Sequence, residues 1–207
     1  MGALMGAAEG VRPGPTPFTL LCPPGWQRIP AEALLAEDAT QAVFGAIRDA
    51  GRADIALQMR ALLTQYRRAI RELRVFEIYL PPVADGVRLP AALMISPVVL
   101  PVGVDWDAAL VRLSRGLPVE QADFTETPMW VWRREDWFGD EREVRVREAT
   151  YFVPVHEDAP ARRALRFQYT VLTPPTAEGD EAARQLLDIG DLVMSTMRWQ
   201  QAAATAR

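Results

Sequence analysis

The spacing of apolar side chains along residues 17–199 changes period several times, and each change marks an element. From Ala31 to Ala50, Leu34, Leu35, Val43, Phe44 and Ile47 recur at helical spacing, and Gly51 stands where a C-terminal cap belongs. A second and clearer stripe follows in Ile55, Met59, Leu62, Leu63, Tyr66, Ile70 and Leu73. Arg60, Arg67, Arg68, Arg71 and Glu72 fall largely outside it, so the two segments predict an antiparallel helical pair. After Arg74 the period falls to two: Phe76, Ile78 and Leu80 alternate with Val75, Glu77 and Tyr79 until Pro81-Pro82 stop the strand. Asp85-Gly86 predicts a turn into the apolar stretch Leu89–Leu100, where Pro90, Pro97 and the following Pro101 point to an edge strand or a bulge. Asp105 is placed to cap a short helix over Trp106–Arg115, ended by Gly116.

Thr125–Trp132 and Arg142–Val153 read as a long hairpin that turns around Trp137-Phe138-Gly139-Asp140. A strand over Ala164–Leu172 follows, with Leu165, Phe167, Tyr169 and Val171 on its buried face and Arg166, Gln168 and Thr170 on its wet one. Pro174-Pro175 end that strand, and a last helix from Asp180 to Trp199 presents Leu186, Ile189, Val193 and Met197. Near the start, Phe18–Leu21 reads as a short strand broken by Pro23-Pro24-Gly25. Residues 1–16, rich in Gly, Ala and Pro, predict a disordered leader, and residues 200–207 a frayed tail, which leaves 17–199 as a single domain. With helices toward both ends and hairpins between, the pattern predicts an α+β fold. Its mainly antiparallel sheet is covered by helices as an α/β/α sandwich, with an added N-terminal helical pair.

Charge narrows the functional classes. The net charge of −4 is spread among interspersed acids and arginines, which disfavours nucleic acid as a partner. No stretch reaches the roughly 18 apolar residues of a membrane span, and no signal peptide is read at the start, so the expected address is the cytoplasm. All 23 basic residues are arginine, which rules out a phosphate-binding loop built on lysine and fits a GC-rich coding bias. One cysteine, Cys22, and one histidine, His156, leave no disulfide and no Cys/His zinc set, and no cofactor is expected.

Catalytic candidates are weak. His156, beside Pro154 and Asp158, reads as a solvated loop histidine rather than a general base, and Cys22 as a small packed hydrophobe rather than a thiolate. Acids gather at Glu120, Asp123 and Glu126 and again at Glu135, Asp136, Asp140, Glu141 and Glu143. Arg133, Arg134, Arg142 and Arg145 lie among the second group, so a neutralised, charged hairpin accounts for it better than a metal or acid/base site. No catalytic and no metal-binding residue is assigned. The remaining candidates are Trp130, Trp132, Arg133, Arg134, Trp137 and Phe138, residue types enriched at protein interfaces. Trp130 and Trp132 share a strand face and are expected to fill the space between sheet and helices, whereas Trp137 and Phe138, at the expected turn, are the better candidates for exposure.

The opening strand that leads into Pro24-Gly25-Trp26, the sheet of hairpins, and the closing Met194-Ser195-Thr196-Met197-Arg198-Trp199 resemble the Mog1/PsbP-like superfamily of α/β/α sandwiches. The chain is also similar to uncharacterised actinobacterial proteins that begin with the same Pro-Gly-Trp turn. The resemblance implies a binding scaffold with no shared catalytic residues to transfer. The expected function is therefore a non-enzymatic protein-binding module or adaptor of a bacterial assembly, with an unknown protein as partner. The alternatives are a carrier or secretion chaperone for an apolar ligand or hydrophobic segment, and a hydrolase using two convergent carboxylates.

Overall fold

The computed structural model describes residues 17–35, 53–84, 87–138, 142–155 and 162–200. In chain order its elements are β1 (Phe18–Thr19), β2 (Gln27–Pro30), α1 (Ala31–Leu35), α2 (Ala53–Glu72), β3 (Glu77–Leu80), β4 (Val83–Ala84), β5 (Val87–Arg88) and β6 (Ala91–Val99). They continue with α3 (Trp106–Leu113), β7 (Glu120–Gln121), β8 (Trp130–Phe138), β9 (Val144–Pro154), β10 (Arg163–Thr173), α4 (Ala177–Ser195) and β11 (Arg198–Trp199). Seven strands form one sheet in the order β2-β3-β6-β10-β9-β8-β7, and every neighbouring pair is antiparallel. The expected α+β class with a mainly antiparallel sheet is what the chain forms.

Alternation along the strands sorts the sheet into two faces. One carries Leu93, Ile95, Ala149, Tyr151, Val153, Leu165, Phe167, Tyr169 and Val171 and packs against Ala183, Leu186, Val193 and Met194 of α4. The helix is started by Thr176, whose hydroxyl accepts from the Gly179 N–H at 3.1 Å. On the other face, α2 lays Tyr66, Ile70 and Leu73 over Ile78 and Met94, and α3 lays Trp106, Leu110 and Leu113 over Trp132, Phe152 and Ala164. The first predicted helix is described only at its start, as α1; the rest of it and the turn at Gly51 lie outside the described residues.

Three expectations are corrected. The stretch around Pro97 is not an edge strand: β6 lies inside the sheet, between β3 and β10. Backbone groups of the odd residues of β6 point toward β3, as the Phe76 N–H bond to the Ile95 carbonyl demonstrates. β3 pairs no further than Ile95, so the ring of Pro97, which has no N–H to offer, faces open space and disrupts no ladder. The last helix also lies earlier than expected, running from Ala177 and ending at Ser195. Thr196 turns its hydroxyl back to the Val193 carbonyl at 2.7 Å, and Arg198–Trp199 becomes β11, paired with β1. Met197 remains fully buried although it has left the helix. Finally, Trp137 and Phe138 are not at a turn; β8 runs unbroken from Trp130 through Phe138 against β9. A strand so paired cannot turn before its partner begins, at Val144 opposite Phe138.

Candidate functional site

Where α2 and α3 part, the second face of the sheet is left uncovered. Successive cross-strand rows there read Ser96, Arg166, Phe152, Trp130; then Met94, Gln168, Thr150, Trp132; then Ala92, Thr170, Glu148, Arg134. Apolar members at the ends of the rows lie under the helices, and the polar middle opens as a cleft of ≈ 360 Å³ between Leu73 and Ser114–Leu117. Glu148 is fully engaged at its floor. One carboxylate oxygen accepts from the Thr150 hydroxyl at 3.1 Å, and the other from the Gln168 amide at 2.7 Å with Arg134 at 3.6 Å. Arg166 directs Nε and Nη2 onto the Ser96 hydroxyl at 3.1 and 2.9 Å, and burial lowers its pKa. Ser96 is itself buried and neutral, so the guanidinium has a hydrogen-bond partner without a counter-charge in that bond. Nε of Arg134 is buried without a hydrogen-bond partner. Arg115 lines the same cleft, so three guanidinium groups share it with one carboxylate.

The helix ends that border the cleft are built alike. At the end of α3 the Gly116 N–H bonds back to the Val111 carbonyl and the Arg115 N–H to that of Arg112. At the end of α2, Val75 bonds to Ile70 and Arg74 to Arg71. Both are Schellman closures, whose first residue past the helix is left-handed, and that residue is arginine in each: Arg74 at φ 53° and Arg115 at φ 56°, the latter followed by Gly116 at φ 80°. Glycine is the usual residue there.

An apolar cleft of ≈ 360 Å³ lies further along the same flank of α2, between Tyr66 and the strand residues Ala92, Met94, Thr170 and Leu172, with Leu89 and Pro90 at its rim. Tyr66 and Leu73, which border the two clefts, are two helical turns or about 10 Å apart along the same side of the sheet. Beyond Leu172, the same face continues through Val146 and Val144 to Phe138, which is 50% exposed. A third cleft, ≈ 490 Å³, lies between β1 and the β2–β3 edge; its one acid, Glu77, is buried and bound by Arg28 and by the Tyr79 hydroxyl at 3.0 Å.

The six interface candidates divide between the faces. Trp132 is buried and Trp130 half-buried, packed with Phe152 and with Trp106 of α3 in tilted and edge-on contacts at ring separations of 5.1–6.5 Å. Arg134 points into the polar cleft. Arg133 lies on the opposite face and holds Asp191 of α4 at 2.9 and 2.8 Å, while the Tyr151 hydroxyl donates to the same carboxylate at 2.5 Å. Trp137 is also on that face, half-buried beneath Arg145 at 4.6 Å and Arg142 at 5.8 Å. Only Phe138 of the six is a large apolar side chain open to solvent.

Of the hairpin acids, Glu135 is bound by Arg145 and Arg147 at 3.3 and 3.1 Å, and the same two arginines hold Asp180 of α4 at 2.8 and 2.6 Å. Burial pushes the Cys22 thiol up to about 11. His156, Asp140 and Glu141 lie outside the described residues. Among the described residues no group of three His, Cys, Asp or Glu side chains could hold a metal ion, and no helix is long and apolar enough to cross a membrane. Residue types alone pointed to Arg134 but missed Ser96, Arg115, Glu148, Arg166 and Gln168. The available signal was the polar alternation Arg166-x-Gln168-x-Thr170 in a sheet expected to be covered by helices on both faces, where a merely solvated face is out of place.

No protein-family model and no curated protein matches the chain. A crystal structure of a protein from Bacteroides thetaiotaomicron VPI-5482 is similar at a TM-score of 0.37 and 10% identity, over 60% of this chain and 38% of that one. The chain thus spans well under half the length of that protein.

Proposed function

We propose that the chain is a non-enzymatic protein-binding module that receives an acidic, partly apolar segment of a partner protein in the groove along α2. The observation that carries this reading is the charge of the polar cleft: Arg115, Arg134 and Arg166 stand against Glu148 alone, whose oxygens already have donors. A segment with a carboxylate here and an apolar side chain about 10 Å away would complement both ends of the groove. Such a role agrees with the binding scaffolds of the Mog1/PsbP-like superfamily that the two ends of the chain resemble. Selection of a random peptide library on the purified chain tests it. Enriched peptides should pair Asp or Glu with a large apolar residue and lose binding to Arg134→Gln; enrichment of basic peptides, or binding indifferent to that change, overturns the reading.

A second reading, a carrier for an apolar ligand, is favoured by the cleft between Tyr66 and Leu172. Native mass spectrometry separates the two, because a carrier purifies with a bound small molecule and a peptide-binding module does not. The hydrolase reading is the weakest, since none of the three clefts brings two carboxylates together.

A further inference from the structure

We infer that Arg115, Arg134 and Arg166 form an oxyanion subsite within this groove, taking a carboxylate or phosphate group displayed by the partner; the inference rests on the binding-module reading and names its chemistry. Arg166 is held by a neutral hydroxyl, and the attraction of Glu148 on it is outweighed by its burial. Arg134 approaches Glu148 only at 3.6 Å and leaves Nε unbonded and shielded from water. A buried guanidinium whose bonded partner is neutral, as at Arg166, is costly, and an anion reaching both it and the partly exposed Arg134 would relieve that cost. Bidentate arginine contacts suit planar carboxylates and phosphates alike.

Arg115 supplies the third contact, with its side chain at the rim of the cleft. Its backbone stands in the left-handed region at φ 56°, directly ahead of Gly116 at φ 80°. Arg74 occupies the matching position of α2 but lies outside the cleft lining, which makes it an internal control.

Thermal unfolding tests the subsite with inorganic phosphate and with acetate, each against sodium chloride at equal ionic strength, for the full chain and for Arg115→Gly, Arg74→Gly and Arg134→Gln. Both glycine variants should melt above the parent in chloride, because each relieves a left-handed arginine. One or both anions should raise the midpoint of the parent and of Arg74→Gly by about 3–6 °C at ten times the Kd. The rise should at least halve in Arg115→Gly and vanish in Arg134→Gln. The larger response identifies the group, phosphate pointing to a phosphorylated side chain and acetate to a carboxylate. An equal rise in all four proteins would reflect general exclusion of the salt from the surface and overturns the subsite, as does a response no greater than that to chloride. If library peptides bind while the anions do not, the subsite fails and the binding module stands; if the anions bind while no peptide does, the reverse holds.

Discussion

Cys22 and Trp132 illustrate how surroundings decide what a reactive or adhesive side chain does. Burial keeps the Cys22 thiol protonated up to about pH 11, so alkylation by iodoacetamide should be slow at pH 7.5 and reach half its limiting rate only near pH 11. A break nearer pH 8.5 would mean that the thiol is solvated. Trp132 has interface composition but a core position, against Phe152, so Trp132→Ala should cost about 3–5 kcal/mol in urea unfolding. Phe138→Ala, by contrast, removes an exposed ring and should leave stability within about 0.5 kcal/mol while weakening peptide binding. Sequence reasoning separated these fates for Trp130 and Trp132, because side chains two apart in a strand share a face. It left Trp137 a candidate for exposure, because the two arginines that lie over its ring, Arg142 and Arg145, belong to a different strand and its turn.

At the scale of elements, α4 is fitted to the sheet by absence as much as by contact. A β-carbon on Gly190 would come within 2.6 Å of the Tyr169 ring, which is itself stacked on Trp26. Gly190→Ala should therefore lower the melting temperature even though alanine is the better helix former, by about 1–3 kcal/mol in stability. The start of the same helix is held electrostatically. Hydrogen bonding by Arg147, with further attraction from Arg145, lowers the pKa of Asp180, so its stabilising charge is complete above the ordinary carboxylate pKa and is lost as pH falls through the lowered one. The wild type should be more stable than Asp180→Asn at pH 7, with the two converging toward pH 2 in paired unfolding curves. Element order and most helix and strand positions were legible from periodicity, since burial on one side imposes it. Pro97 misled because proline carries a local rule, while its tolerance depends on where the neighbouring strand β3 stops, four residues long and set elsewhere in the chain. The groove was illegible for the same reason: Ser96, Arg166, Glu148 and Arg134 lie on four strands and meet only through register.

For the whole molecule, division of labour between the two sheet faces is the organising fact. Among the described residues, one face is covered by the long helix α4; the other carries α1, α2 and α3, of which α2 and α3 leave a charged strip between them, and the binding proposal depends on that gap. The bookends of the chain have their own consequence. β1 and β11 pair Phe18 with Trp199 and Thr19 with Arg198, and the Gln200 N–H closes on the Pro17 carbonyl at 2.9 Å. Residues 17 and 200 thus sit side by side at the same end of a short ribbon. Tension applied between them would open that ribbon one hydrogen bond at a time, as a zipper, and would reach the sheet's long ladders only afterwards. Optical-tweezers extension from residues 17 and 200 should give an early, low-force yielding of a few residues before the main rupture. Joined into a larger chain at these points, the domain would carry its own mechanical fuse.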